Sequence, residues 1–400
     1  MKKLTALILS ALVLLSGFSA FAVKPEISSI SAILIDAETG QVLFEKDKDK
    51  KVYPASITKV LTVYLGEKAL DGTELICASE EVVDTVPKDS TNIAIDYGEV
   101  LTSEQAMYAT MLMSANDAAN MVAEGVSGSI SEFVKLMNTT AQEFGAESTN
   151  FANANGLPDD NHYTTASDFA KIVKGVSTDP EFLKIFGALE YTIPSTNKKA
   201  EPRNFVAKHR MLRLEKYADC GVIGGKTGYT TKAQHTAATL AEKDGKRFIA
   251  VVFGSSDMGT LFSETEAILH HGYDDFVKTT VTKEEVGIKE EGNLRYTPIE
   301  NATFYLPNNY TKNDITTSFT DSGVVICDKE GNILANMKVE VTEIVTKSQR
   351  VFRKVLTVIV VLVVLMFVLS WYNRRRRRIK RRKERWQKER AELMGEEIKK

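Results

Sequence analysis

The stretch Pro54-Ala55-Ser56-Ile57-Thr58-Lys59 decides how this 400-residue chain is read. Pro54 suits a helix entrance, because its missing N–H is not needed in the first turn. A helix is expected to start close to Ser56 and to run through Val60, Leu61, Val63, Tyr64 and Leu65. On that helix Ser56 and Lys59 stand three residues apart and share a face. Alone, S-x-x-K is common by chance. Two short motifs downstream lift it above chance by their order and wide separation: Ser114-Ala115-Asn116 and Lys226-Thr227-Gly228.

An S-x-x-K, S-x-N, K-T-G series builds a serine site in which lysine, not histidine, handles the proton. A serine hydroxyl is a weak nucleophile until a neighbouring base takes its proton. Lys59 can be that base if a second cation or burial keeps its amine partly neutral. A nucleophile at a helix N-terminus also aims backbone N–H groups at a developing oxyanion. Ser114 and Asn116 fall between two helical runs, where a hydroxyl can relay a proton and an amide can hold a substrate carbonyl. The bland alternative there is helix capping. Lys226 and the Thr227 hydroxyl offer a cation and a donor for a carboxylate, and Gly228 leaves room for close approach. They are expected just before a strand, whose edge suits an extended peptide.

The ends of the chain carry different signals. Lys2 and Lys3, the apolar run Leu4 to Leu15 and Ala20-Phe21-Ala22 read as a secretory signal, residues 1–22, cleaved after Ala22. Val355 to Trp371 contains no charge and is long enough to cross a bilayer, giving a transmembrane helix over 351–372. Residues 373–400 hold 14 Lys/Arg against 5 Asp/Glu, which places this tail in the cytoplasm and the segment before the helix outside. The near-neutral whole-chain charge of −2 hides a strongly acidic exported segment. Directly behind a spanning helix, the basic tail marks orientation and contact with anionic membrane lipid, and nucleic acid is not an expected partner. Cys77, Cys220 and Cys327 leave room for one disulfide plus a free thiol, and their spacing matches no metal motif. The five histidines show no H-E-x-x-H pairing, so no metal is expected.

Between the ends, Ala32–Asp36 and Gln41–Glu45 read as a hairpin around Ala37-Glu38-Thr39-Gly40. Ser103–Met113, Ala118–Val126 and Ser131–Phe144 have helical apolar spacing, and Thr165 with Asp168 resembles a capping pair opening a helix through Val176. Thr236–Leu240, the turn Lys243-Asp244-Gly245-Lys246 and Phe248–Phe253 form a second hairpin, and Glu264–Phe276 a closing helix. From about Thr279 the pattern turns β-rich, with pieces at Thr303–Leu306, Gly323–Cys327 and Met337–Val341. The expected layout is a catalytic domain over 23–278 and a small β-rich domain over 279–346, the latter read as a spacer.

Longer strings carry a resemblance. Pro54 to Lys59, Ser114-Ala115-Asn116-Asp117-Ala118-Ala119, Asn155-Gly156-Leu157-Pro158 with His162-Tyr163-Thr164-Thr165-Ala166, and Gly225-Lys226-Thr227-Gly228-Tyr229-Thr230 resemble serine-type D-alanyl-D-alanine carboxypeptidases. These are low-molecular-weight penicillin-binding proteins related to serine β-lactamases, and the likeness covers roughly residues 25 to 276. It implies an α+β fold of the β-lactamase/transpeptidase type, with an antiparallel sheet flanked by helices and a helical subdomain. It implies that Ser56 is acylated, Lys59 takes its proton, Ser114 relays a proton and Asn116 binds substrate and supports Lys59. Lys226 and Thr227 would engage the substrate carboxylate beside Gly228, and the N–H groups of Ser56 and Tyr229 would form the oxyanion hole. The implied substrate is a peptidoglycan stem peptide ending in D-Ala-D-Ala, the implied covalent inhibitors are β-lactams, and no cofactor is needed. Two departures bear on substrate fit. Ala233 is followed by Gln234-His235 where the family often has Ala-Gly, and Ala207-Lys208-His209-Arg210 replaces an asparagine-rich stretch. Whether Lys208 or Arg210 assists the carboxylate stays open. The rivals are a β-lactamase-like hydrolase, for which Glu147-Ser148-Thr149-Asn150 lacks the E-x-x-L-N form, a transpeptidase, and a catalytically idle wall-binding protein.

Overall fold

Strand Ser31–Asp36 has no exposed position, and its side chains divide by parity. Ala32 and Leu34 enter one apolar cluster and Ile33 and Ile35 another, as the two-residue period of a strand requires when both faces are covered. A computed structural model, describing residues 24–320, 322–344 and 347–397, places this strand in a five-stranded antiparallel sheet. The order is Val42–Lys46, Ser31–Asp36, Lys246–Ser255, Gln234–Lys243, Val222–Thr230. Leu34 faces Phe44 on one side and Ala250 on the other. The proposed signal, 1–22, lies outside the described residues.

One face of the sheet packs on helix Met258–Asp274 through Leu261, Phe262, Ile268 and Leu269. This helix starts earlier than its apolar pattern suggested, because the Asp257 carboxylate caps the N–H groups of Gly259 and Thr260. The other face meets helices Lys59–Ala69 and Ala166–Val176, behind which Asn116–Ser127 and Ile130–Glu143 complete a helical lobe. Gly66 lets two of these helices approach: a Cβ there would lie 2.7 Å from Val122 Cγ1.

Four local readings change. Ser56 is not yet in the α-helix; Ala55–Thr58 is a 3-10 turn that feeds into Lys59–Ala69. The run expected as one helix, Ser103–Met113, is α-helical to Tyr108 and then widens into a π-turn over Ala109–Met113. Lys226-Thr227-Gly228 precedes the hairpin Gln234–Lys243 and Lys246–Ser255 as expected, but it is not a turn: it lies inside a strand of its own, at the edge of the sheet. Thr165 caps its helix through Asp168 N, yet the Asp168 carboxylate turns to Ser148 N and Lys171 instead of closing a capping box.

The chain divides into two compact units, 24–285 with 300–337, and 286–299 with 338–397. The first also holds strand pair Phe276–Val281 with Ala302–Pro307 and the three-stranded sheet Ile315–Thr320, Gly323–Asp328, Ile333–Met337. Gln41 ties the pair to the main sheet, donating to Tyr305 O at 2.8 Å and accepting from Tyr305 N at 2.7 Å. The second unit holds strands Lys289–Glu291, Leu294–Pro298 and Val339–Glu343, and helix Lys347–Glu397. Met337–Val341, read as one β piece, is therefore two strand ends: Met337 pairs with Val324, and Val339 with Pro298. Among the described residues, Lys347–Glu397 contains the one stretch long and apolar enough to cross a membrane.

Candidate active site

Three elements meet at Ser56: the 3-10 turn, the left-handed corner after the π-turn, and the edge strand. Ser114 is the corner, with φ 63° and ψ 32°, a conformation that costs a non-glycine residue energy and is held by its surroundings. Asn116 follows as the first residue of its helix. The corner thus turns both side chains of the second motif towards the first.

Lys59 is completely buried. Its Nζ lies 3.1 Å from Ser56 Oγ and 2.7 Å from Asn116 Oδ1, and also donates to the main-chain carbonyl of Asn155. The last two partners are obligate acceptors. When the amine is neutral they occupy its two N–H groups, leaving the lone pair towards the Ser56 hydroxyl. Burial holds the Lys59 ammonium well below the ordinary lysine range; Lys226 and Lys208 push the same way, and Asp117 opposes them. Lys226 is also buried, donating to Ser114 Oγ at 2.9 Å and to Thr227 O at 2.7 Å. Burial, then Lys208, brings it down to about 7.

The close approach of strand and loop to the Ala55-Ser56 turn rests on two glycines. A Cβ on Gly228 would stand 2.7 Å from Ser56 N and 2.6 Å from Thr236 Oγ1. Gly156, at φ +82°, packs so tightly that a Cβ would reach 2.0 Å from Ala55 O. Ala55 itself has φ +50°. Behind it, Ala152 N donates to His162 Nδ1 at 3.0 Å, which leaves His162 Nε2 to donate to Thr58 Oγ1 at 2.8 Å. The Thr58 hydroxyl then donates to Ala55 O at 2.8 Å. Burial lowers His162 to about 4, so the ring is neutral near pH 7.

A cleft of about 500 Å³ opens beside Ser56. Ser114, Thr227, Gly228 and Tyr229 line it, and so do Lys208, Arg210 and Arg213. The seven residues singled out in the three motifs, and Tyr229 beside the third, therefore lie in or beside one site. Sequence reasoning missed the part played by Asn155 O, because a main-chain acceptor leaves no mark on residue type. It also missed Arg213, which has no motif, and Asp117. The buried Asp117 carboxylate accepts from Ile93, Ile95 and Ala118 N–H groups, and so shapes the segment from which Thr91 O receives Asn116 N at 2.9 Å.

This constellation sits within residues 19–257, which match the family model described as D-alanyl-D-alanine carboxypeptidase. The chain belongs to that family. It is 36% identical over 230 residues to the D-alanyl-D-alanine carboxypeptidase DacF of Bacillus subtilis, covering 56% of this chain and 57% of that protein. It therefore spans less than two thirds of that relative. DacA of Haemophilus influenzae is 29% identical over 283 residues, covering 67% of this chain and 69% of the relative. The structure of penicillin binding protein 5 from Haemophilus influenzae superposes with a TM-score of 0.67 at 24% identity, covering 80% of this chain and 99% of that one. At that identity the likeness speaks for the carboxypeptidase family's fold, the α+β arrangement expected from sequence.

Proposed function

We propose that the chain is a serine D-alanyl-D-alanine carboxypeptidase that trims peptidoglycan stem peptides outside the cell. The observation that carries this reading is the Lys59 amine, stripped of water and pinned between Asn116 Oδ1 and Asn155 O, within 3.1 Å of Ser56 Oγ. Lys59 takes the Ser56 proton as Oγ attacks the carbonyl between the last two D-alanines. The N–H groups of Ser56 and Tyr229 receive the oxyanion, with Gly228 giving the strand its approach. A proton passes by way of Ser114 to the departing amine, D-alanine leaves, and water then hydrolyses the ester with Lys59 as base. Lys226, Thr227 and the cations of the cleft hold the terminal carboxylate. β-Lactams acylate the same serine because they mimic the same dipeptide.

The cleft lining includes no Asp or Glu among the described residues, which favours a slowly deacylating carboxypeptidase over a β-lactamase with a carboxylate base. The remaining reading of the chain is a cleaved signal over 1–22, a catalytic domain over 23–278, a β-rich spacer over 279–346, a spanning helix over 351–372 and a cytoplasmic basic tail over 373–400 against anionic lipid. The decisive test incubates the purified protein and Ser56→Ala with a pentapeptide ending in D-Ala-D-Ala and with fluorescent penicillin. Stoichiometric labelling and D-alanine release, both lost in the variant, are expected. An unlabelled protein that releases no D-alanine overturns the proposal.

A further inference from the structure

Along the chain no cysteine or histidine spacing signals a metal. The fold nevertheless brings Cys220, Glu266 and His270 together, with one ligand atom of each within 4.8 Å of the others. Glu266 and His270 are four residues apart on helix Met258–Asp274, hence on one face. Cys220 ends the 3-10 turn that precedes strand Val222–Thr230. It is fully buried and its thiol is unoxidised, while Glu266 and His270 are half-buried and open the cluster to solvent. The backbone there is fixed: Cys220 O accepts from the Tyr273 hydroxyl at 3.2 Å and Gly221 O from Glu242 N at 2.7 Å. His270 Nε2 faces the Asp219 carboxylate at 3.8 Å, and Nδ1 faces Asp274 at 3.5 Å.

We propose that Cys220, Glu266 and His270 bind a zinc ion, with Asp219 as the fourth ligand and Asp274 orienting the imidazole. Thiolate, imidazole and carboxylate form a donor set suited to Zn²⁺. Zinc bond lengths of about 2.0–2.3 Å place ligand atoms about 3.4 Å apart, so the cluster closes on the ion by small rotations of Glu266 and His270. The Cys220 thiol gives its proton to solvent as the sulfur–zinc bond forms. The second ring nitrogen donates to Asp274, the outer-shell pattern that fixes a ligating histidine. The ion would staple the closing helix to the chain entering the strand of Lys226-Thr227-Gly228, far enough along that strand to leave the nucleophile untouched.

The test titrates Zn²⁺ into the full-length protein in detergent, in competition with a chromophoric chelator, and repeats it with Co²⁺ to read a thiolate charge-transfer band. One saturable equivalent and a thiolate band are expected. His270→Ala and Cys220→Ala should each weaken binding at least tenfold, whereas Cys77→Ser with Cys327→Ser should not. Penicillin labelling of every variant serves as the fold check. If Cys220→Ala fails that check, His270→Ala, at a half-exposed position, decides alone. No saturable binding, or binding unchanged in His270→Ala, overturns the proposal.

Discussion

Lys59 can act as a base because it is buried and ringed by other cations, so removing it should abolish acylation more thoroughly than any change at the cleft rim. Lys59→Arg keeps the charge but cannot give up its proton; penicillin acylation should fall by roughly 10²–10⁴-fold, measured by stopped-flow labelling. The two lysines also set a pH profile. Acylation rises with pH as Lys59 loses its proton, and grip on a substrate carboxylate weakens above about 7 as Lys226 loses its own. The alkaline limb should appear in kcat/KM for a peptide acid and vanish for the same peptide amidated at its C-terminus. A persistent limb with the amide would remove Lys226 from carboxylate binding. Gly228→Ala tests the approach of the strand to Ser56. Its Cβ, 2.7 Å from Ser56 N, must push the serine aside, and a displacement near 1 Å costs about 10²-fold. Acylation should drop by at least that factor while the thermal midpoint moves little.

At the scale of elements, the turn Ala55–Thr58 is held from three sides. Thr236 Oγ1 donates to Pro54 O at 3.0 Å, Gly156 presses on Ala55 O, and the His162–Thr58 chain fixes the same carbonyl. His162 adds an acid liability. Its neutral form is favoured in the fold, so its pKa lies below the unfolded value of about 6.5. Stability from this residue is intact above about 6.5, falls as pH drops, and is fully lost below about 4. The full shift corresponds to about 3 kcal/mol. Denaturant midpoints at pH 7 and pH 4.5 should therefore differ less in His162→Gln than in the parent; an equal difference would sink this account. Gly156→Ala should destabilise more than Gly228→Ala, since it combines φ +82° with a main-chain collision.

At the scale of the whole molecule, helix Lys347–Glu397 leaves its apolar run from Val355 to Trp371 exposed, which water disfavours and lipid accepts. Ending the chain at residue 344 should move the protein from the membrane to the soluble fraction while penicillin labelling persists, read by fractionation and fluorescence. The fold was largely legible because period-2 strands and period-3.6 helices record burial directly. Ser31–Asp36, Val42–Lys46, Ile130–Glu143 and Ala166–Val176 lie within a few residues of where the pattern put them. The edge strand Val222–Thr230 was harder to see, because its centre is Gly224-Gly225-Lys226-Thr227-Gly228, which lacks the β-branched signature of a strand. The sequence by itself determined which side chains are the candidates for the chemistry, since Ser56, Lys59, Ser114, Asn116, Lys226 and Thr227 announce themselves by type and order. Only the tertiary structure decided what lowers the proton affinity of Lys59. Burial, the Asn155 carbonyl and the neighbouring cations are relations across about 170 residues of chain, from Ser56 to Lys226, and electrostatics is set by distance in space, not along the sequence.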